Sequence, residues 1–203
     1  VGSEMCIRDR FQPGQSPDEL LTPGKGEAYG IEIFLNKRSG KLSGWIGYTL
    51  SWTKRKFDEL NAGRVFYPRY DRRHDISVVA AYNVTEDFSI GATWTYATGQ
   101  GFTVPSGQYQ FRTVGLNDFT SLQIDYTDRN SFRLPAYHKL DLNASYKFTW
   151  LDLMFESYLN IYNLYNRQNP FSYYITNDQN GRVILKQITL FPFIPTTGVN
   201  IKF

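Results

Sequence analysis

Seven stretches of this chain alternate apolar and polar residues with a period of two. A β-strand sends successive side chains to opposite faces, so such alternation predicts strands with one apolar and one polar face. The first stretch runs from about Gly26 to Lys37. It sets Tyr29, Ile31, Ile33 and Leu35 against Ala28, Gly30, Glu32 and Asn36, with Phe34 breaking the polar face. The second sets Leu42, Ile46, Tyr48, Leu50 and Trp52 against Ser43, Trp45, Gly47, Thr49 and Ser51. The third and fourth carry Ile76, Val78, Ala80, Tyr82 and Val84, then Phe88, Ile90, Ala92, Trp94 and Tyr96, on their apolar faces. In the fifth, Leu140, Leu142, Ala144, Tyr146 and Phe148 oppose Lys139, Asp141, Asn143, Ser145 and Lys147. In the sixth, Leu151, Leu153, Phe155, Leu159 and Ile161 oppose Asp152, Met154, Glu156, Tyr158, Asn160 and Tyr162. The last stripe is Val199, Ile201 and Phe203.

The connections alternate in length. Short turns are expected at Arg38–Lys41, Thr85–Asp87 and Thr149-Trp150, and long connections over about 56–72, 99–135 and 164–184. A two-residue turn at Thr149-Trp150 would place Lys147 opposite Asp152, an opposite-charge pair. The 99–135 connection is longer than compact domains ordinarily contain unless it is functional.

Composition narrows the classes. With 17% aromatic residues, among them 15 Tyr and 15 Phe, the chain is too aromatic for a disordered one. No apolar run approaches the ~18 residues of a membrane helix. The net charge of +3 is too weak to argue for nucleic acid, and positive residues gather in turns and loop bases, as in Lys54-Arg55-Lys56. The one cysteine, Cys6, has no internal partner. It lies in Val1–Arg10, which shares no pattern with the rest, resembles translated sequencing-adapter sequence and is set aside as non-native. Residues 11–25 read as loop, which leaves 26–203 as the folded part.

These features together predict an all-β fold, an antiparallel up-and-down transmembrane β-barrel in which the apolar faces meet lipid. Short turns on one side and long loops on the other are how such barrels are built. Outward aromatics fall at both strand ends: Tyr82, Phe88, Tyr146, Phe148 and Phe203 near the short turns, and Tyr29, Trp52 and Tyr96 near the long loops. Rings of this kind settle at the two membrane–water interfaces. Bacterial barrels have even strand numbers of at least eight, and unpaired edges in lipid are prohibitively costly. Seven strands are therefore expected to be part of a larger barrel, and the chain alone in water is expected to aggregate.

Six strings carry a resemblance. They are GEAYGIEIFLNK (Gly26–Lys37), GWIGYTLSWTKRKF (Gly44–Phe57), YDRRHDISVVAAYNV (Tyr70–Val84), RLPAYHKLDLNASYKF (Arg133–Phe148), YLNIYNLYNRQNPF (Tyr158–Phe171) and LFPFIPTTGVNIKF (Leu190–Phe203). In this order and spacing they resemble the C-terminal barrel of TonB-dependent outer-membrane receptors, in the Bacteroidota-type branch that carries a carboxypeptidase-regulatory-like domain. The ending Val199, Ile201, Phe203 resembles the sorting signature of outer-membrane barrels, an assembly signal for the barrel-assembly machinery. The resemblance implies a 22-stranded barrel in the cell outer membrane of a Gram-negative bacterium, with this chain as about seven C-terminal strands. It implies energised uptake of a scarce ligand: a siderophore, vitamin, glycan or peptide. The implied partners are outer-membrane lipid, a plug domain, the TonB complex acting through an N-terminal region absent here, and a surface lipoprotein. A passive porin-like barrel is the alternative within the same class. A soluble β-sandwich binding module is the alternative outside it, and would pack its apolar faces against each other.

Candidate contacts follow from parity and loop chemistry. Arg73 and Asp75 point to the polar face at the mouth of the third strand, either as a ligand or plug contact or as a charge network bracing the wall. Tyr67, Arg69 and Tyr70 lie in a long connection, and aromatics with Arg suit exposed binding surfaces. Tyr158 and Tyr162 stand on the polar face, as do Phe34 and Trp45, where they pack on the plug or line a ligand path. His74 and His138 lack the spacing of a metal site. There is no catalytic motif, so neither enzymatic activity nor a cofactor is expected.

Overall fold

The computed structural model of the chain describes residues 2–8, 21–113, 119–179 and 183–202. Within them the chain is all-β and antiparallel. Eight strands form one sheet in the order β1 (Gly2–Arg8), β2 (Leu21–Lys37), β3 (Leu42–Phe57), β4 (His74–Asn83), β5 (Phe88–Ala97), β10 (Tyr137–Trp150), β11 (Leu153–Tyr162) and β14 (Ile194–Lys202). The intervening strands pair separately: β6 (Gly101–Phe102) with β9 (Phe132–Arg133), β7 (Pro105–Thr113) with β8 (Phe119–Tyr126), and β12 (Pro170–Asn177) with β13 (Val183–Thr189).

All seven sequence-predicted strands are present, and the register keeps their faces. Ile46 opposes Val78, Val78 opposes Trp94 and Trp94 opposes Leu140, so apolar positions meet apolar ones. On the far side Leu142 opposes Ile161, Phe148 opposes Phe155, and Phe155 opposes Ile201. A shift of one residue at any ladder would mix the two faces.

Boundaries differ from expectation in four places. The first long strand begins at Leu21 instead of Gly26, and its Leu21–Glu27 pairs with Gly2–Arg8, the segment set aside from the sequence. The hairpin between β10 and β11 turns at Leu151-Asp152, not at Thr149-Trp150. Both turn residues have positive φ (53° and 61°), the two-residue geometry whose twist matches the flanking strands. Lys147 consequently opposes Glu156, not Asp152. The long connections expected over 99–135 and 164–184 carry strands of their own, β6 to β9 in the first and β12 with the start of β13 in the second. Phe203 lies outside the described residues.

The chain divides into two compact units. The first comprises Val1–Gly30, Ser51–Arg72 and Gly99–Leu134. Among its described residues the buried apolar side chains are Phe57, Phe66 and Leu134. Phe57 and Phe66 stack at 6.1 Å between centroids, and Phe57 lies where Gly24 leaves no Cβ.

The second unit comprises Ile31–Leu50, Arg73–Thr98 and Pro135–Phe203. Among its described residues Ala97 alone is a buried apolar side chain. Its sheet is a single layer with no core of its own. Ile31, Leu35, Leu42, Ile46, Ile90 and Leu159 are all 40–60% exposed or slightly more on one continuous face. A monomeric soluble protein rarely shows so extended an apolar patch.

Candidate functional site

In the first unit the β3–β4 connection is held by one buried carboxylate. Asp71 is 2% exposed, and its Oδ1 accepts the Thr53 N–H at 2.7 Å. Arg133, 62 residues away in sequence, forms an ion pair with the Asp71 carboxylate and also donates to the Asp71 carbonyl. The same guanidinium donates to the Gly99 carbonyl at 3.3 Å and lies over the Tyr67 ring at 5.4 Å. One cation thus joins two long connections. A buried carboxylate stripped of such a partner is strongly destabilising, which makes Arg133 the brace of this region.

Further bonds tie the same two connections together. Asn130 donates its side-chain amide to the Tyr67 carbonyl at 2.8 Å, and Arg129 donates its backbone N–H to Asn61 Oδ1 at 2.8 Å. Asn61 and Ala62 both have φ of 54° and Gly63 69°, a run of left-handed residues that turns the chain back on itself. Arg64 pairs with Asp128 at 2.5 Å, and Arg129 covers the Phe66 ring at 5.4 Å.

The sequence-predicted contacts in this unit have separate partners. Tyr67 meets Arg133, as above. Arg69 donates Nε to Gln100 Oε1 at 3.4 Å, while its carbonyl accepts the Gly101 N–H at 3.3 Å. Tyr70 is more than half exposed, with the Arg55 guanidinium hydrogen-bonded to its hydroxyl and over its ring at 5.1 Å. These side chains are engaged in holding the connection, and Tyr70 and Tyr126 present exposed rings.

In the second unit the polar face carries the remaining candidates. Asp75 opposes Thr49 and Ala97 in the sheet, and Arg73 immediately precedes β4. Tyr158 lies across Gly198, whose absent Cβ would fall 2.3 Å from the Tyr158 hydroxyl. Asn143 lies across Gly91 in the same way. Two large side chains are thereby laid flat against the sheet. Phe34, an exception to the alternation, packs against Trp45 at 5.9 Å as a cross-strand aromatic pair. Lys139 forms an ion pair with Asp141 and stands 4.1 Å over the Tyr162 ring. Asp141 also accepts the Asn163 N–H at 2.9 Å.

That contact leads to a connector that sequence reasoning left unexplained. Asn163 is buried, with φ of 53°, and donates its side chain to the carbonyls of Arg167 and Phe191 at 2.9 and 3.4 Å. Its Oδ1 accepts the Arg167 N–H at 3.0 Å. Asn166 accepts the Phe193 N–H at 3.0 Å, and Asn169 both accepts from and donates to the His138 backbone. Three asparagines in NLYNRQN thus replace the ladder partners that a strand would supply. Their i, i+3, i+6 spacing is the one sequence signal that marks them.

The two histidines bond tyrosines. His74 Nδ1 meets the Tyr48 hydroxyl at 2.9 Å, and His138 Nδ1 meets the Tyr165 hydroxyl at 2.8 Å. Burial pushes the Tyr165 hydroxyl above its ordinary value, so it keeps its proton at physiological pH. Among the described residues no group of three His, Cys, Asp or Glu is placed to hold a metal ion.

On the opposite face of this unit, aromatics collect at both strand ends. Tyr146, Phe148, Phe155 and Trp150 form a series of ring contacts next to the Leu151-Asp152 turn, the closest a stacked pair at 5.2 Å and the last tilted. Trp94, Tyr96, His138 and Tyr165 form another at the far end. Between them the face is small and aliphatic, with Ala80, Ala92, Leu142 and Ala144 side by side. Comparison with family models, with curated proteins and with solved structures gives no match.

Proposed function

We propose that this chain is wall and loops of a transmembrane β-barrel in the outer membrane of a Gram-negative bacterium, and that the barrel is a TonB-dependent receptor importing a scarce ligand. The observation that carries the membrane reading is the second unit's sheet: a single layer, with Ala97 its one buried apolar side chain among the described residues and a continuous uncovered apolar face. In water that face would cost about 25 cal/mol for each Å² left unburied, and a hydrocarbon solvent removes the cost. The two aromatic collections at the ends of this face suit the two interfaces of a bilayer. A β-sandwich would instead bury this face under a second sheet.

The receptor reading rests on the six strings and their order, and the polar face supports it. Tyr158 and Asn143 folded down over glycines make a smooth wall, suited to a plug domain seated against it. Energised uptake of a siderophore, vitamin, glycan or peptide would then draw on the TonB complex, with lipid, the barrel-assembly machinery and a surface lipoprotein as the other partners. The test is fractionation after expression in a Gram-negative host. The receptor that contains this chain should sediment with outer membranes and leave them only in detergent, whereas the chain alone as a monodisperse monomer in detergent-free buffer refutes the membrane reading. Ligand accumulation by the receptor that contains this chain should stop when the inner-membrane proton gradient is collapsed, and a passive pore would be indifferent.

A further inference from the structure

The apolar face of the second unit is not featureless. At its short-turn end a groove of about 350 Å³ opens between β2, β3 and β4, lined by Leu35, Leu42, Ile46, Val78 and Ala80. Its floor is Gly44, and this glycine is obligatory: a Cβ there would sit 2.1 Å from the Val79 carbonyl oxygen and 2.9 Å from the Ala80 Cα. The backbones approach so closely that no side chain fits at position 44. Lys37 closes the groove's end, and Arg38 and Lys41 follow on the same turn. All three are exposed, and none makes an ion pair among the described residues. A second groove on the same face, of about 360 Å³ over Ala92 and Ala144, has no cation in its lining.

An apolar trough that ends in exposed cations, none of them ion-paired among the described residues, is complementary to one chemistry, an acyl chain with an anionic head. We propose that this groove holds one acyl chain of an anionic phospholipid, with its phosphate against Lys37, Arg38 and Lys41. The proposal rests on the reading of this face as lipid-facing. Hydrocarbon contact alone would not distinguish the two grooves. The cluster of cations does, since each Lys or Arg near an anionic headgroup favours it by about fivefold.

The test uses the intact receptor that contains this chain, in dodecyl maltoside micelles, with native mass spectrometry counting retained dioleoylphosphatidylglycerol and dioleoylphosphatidylcholine. The unaltered receptor should retain one phosphatidylglycerol at concentrations at least about tenfold below those needed for phosphatidylcholine, given the per-cation gain. The triple variant K37Q/R38Q/K41Q changes exposed side chains only, and should lose that preference while keeping phosphatidylcholine binding. Val78→Phe, which fills the trough and leaves the cations, should weaken retention of both lipids. Equal retention of the two lipids by the unaltered receptor, or a preference that survives the triple variant, overturns the proposal. Displacement by inorganic phosphate as effective as by the lipid also overturns it, because the acyl groove would then contribute nothing. A chain that is monodisperse without detergent sinks the membrane reading and this site with it. A receptor that needs detergent yet shows no lipid preference sinks the site alone.

Discussion

Ala92 and Thr93 are adjacent in β5 and face opposite sides of the sheet, which makes them a direct test of which solvent lies where. Ala92 stands between Ala80 and Leu142, and Thr93 between Val79 and Asp141. Ala92 is the fifth of the ten residues of β5. If the apolar face meets lipid, four residues at ~3.4 Å each, tilted by ~40°, place it roughly 10 Å from the turn end along the membrane normal, close to the middle of an apolar band ~25 Å tall. An arginine at that depth on the lipid side costs about 2–4 kcal/mol, a shift of roughly 30-fold to nearly 1,000-fold in the folding equilibrium. Thr93→Arg places the same cation on the polar face opposite a carboxylate, and should change stability by less than about 1 kcal/mol. The assay is urea unfolding from phosphatidylcholine vesicles, followed by tryptophan fluorescence. If both variants cost under about 0.5 kcal/mol, as ordinary water-exposed surface sites do, the apolar face does not meet lipid. If Thr93→Arg is the costlier one, the faces are assigned backwards.

Four further substitutions test individual contacts. Arg133→Ala removes an ion-pair partner of the buried Asp71 carboxylate and should cost up to about 3–5 kcal/mol, with faster hydrogen exchange at the Thr53 amide. Arg64→Ala, which breaks the exposed pair with Asp128, should cost under about 1 kcal/mol. Gly44→Ala should lower folding yield into vesicles by the overpacking cost of about 1–3 kcal/mol or more, since the added carbon meets backbone that cannot move aside. Asn163→Ala leaves the Arg167 and Phe191 carbonyls without their donor and should cost about 1–3 kcal/mol, read as a lowered urea midpoint.

The strands were legible because a period of two is local: Leu140, Leu142 and Ala144 announce their face without reference to anything distant. Their ends were not. Leu21–Glu27 is strand with distant partners, Gly2–Arg8 among them, and Leu151-Asp152 becomes the turn because both residues take left-handed backbone, which leucine composition does not suggest. Among the candidate contacts, Tyr67, Arg69 and Tyr70 were correctly placed in one connection. The residue that organises it was missed, because an arginine 62 positions from its carboxylate leaves no spacing to read. Phe34 looked like an error in the alternation and is half of an aromatic pair with Trp45. Three asparagines in one connector carried a periodic signal whose meaning depends on carbonyls supplied from elsewhere in the chain.

The pairing of β5 with β10 is continuous from Phe88–Ala97 to Tyr137–Tyr146, although some 40 residues separate them in the chain. That intervening segment has its own hairpin, β7 with β8, and is clipped at its base by β6 and β9. The free energy of closing a loop grows slowly, by about 0.6 kcal/mol for each doubling of length. Sequence inside the hairpin can therefore be lengthened, shortened or exchanged at a small thermodynamic cost while the ladders of the sheet stay in register. The segment between β5 and β10 is thereby free to diverge quickly while the ladders on either side of it stay as they are.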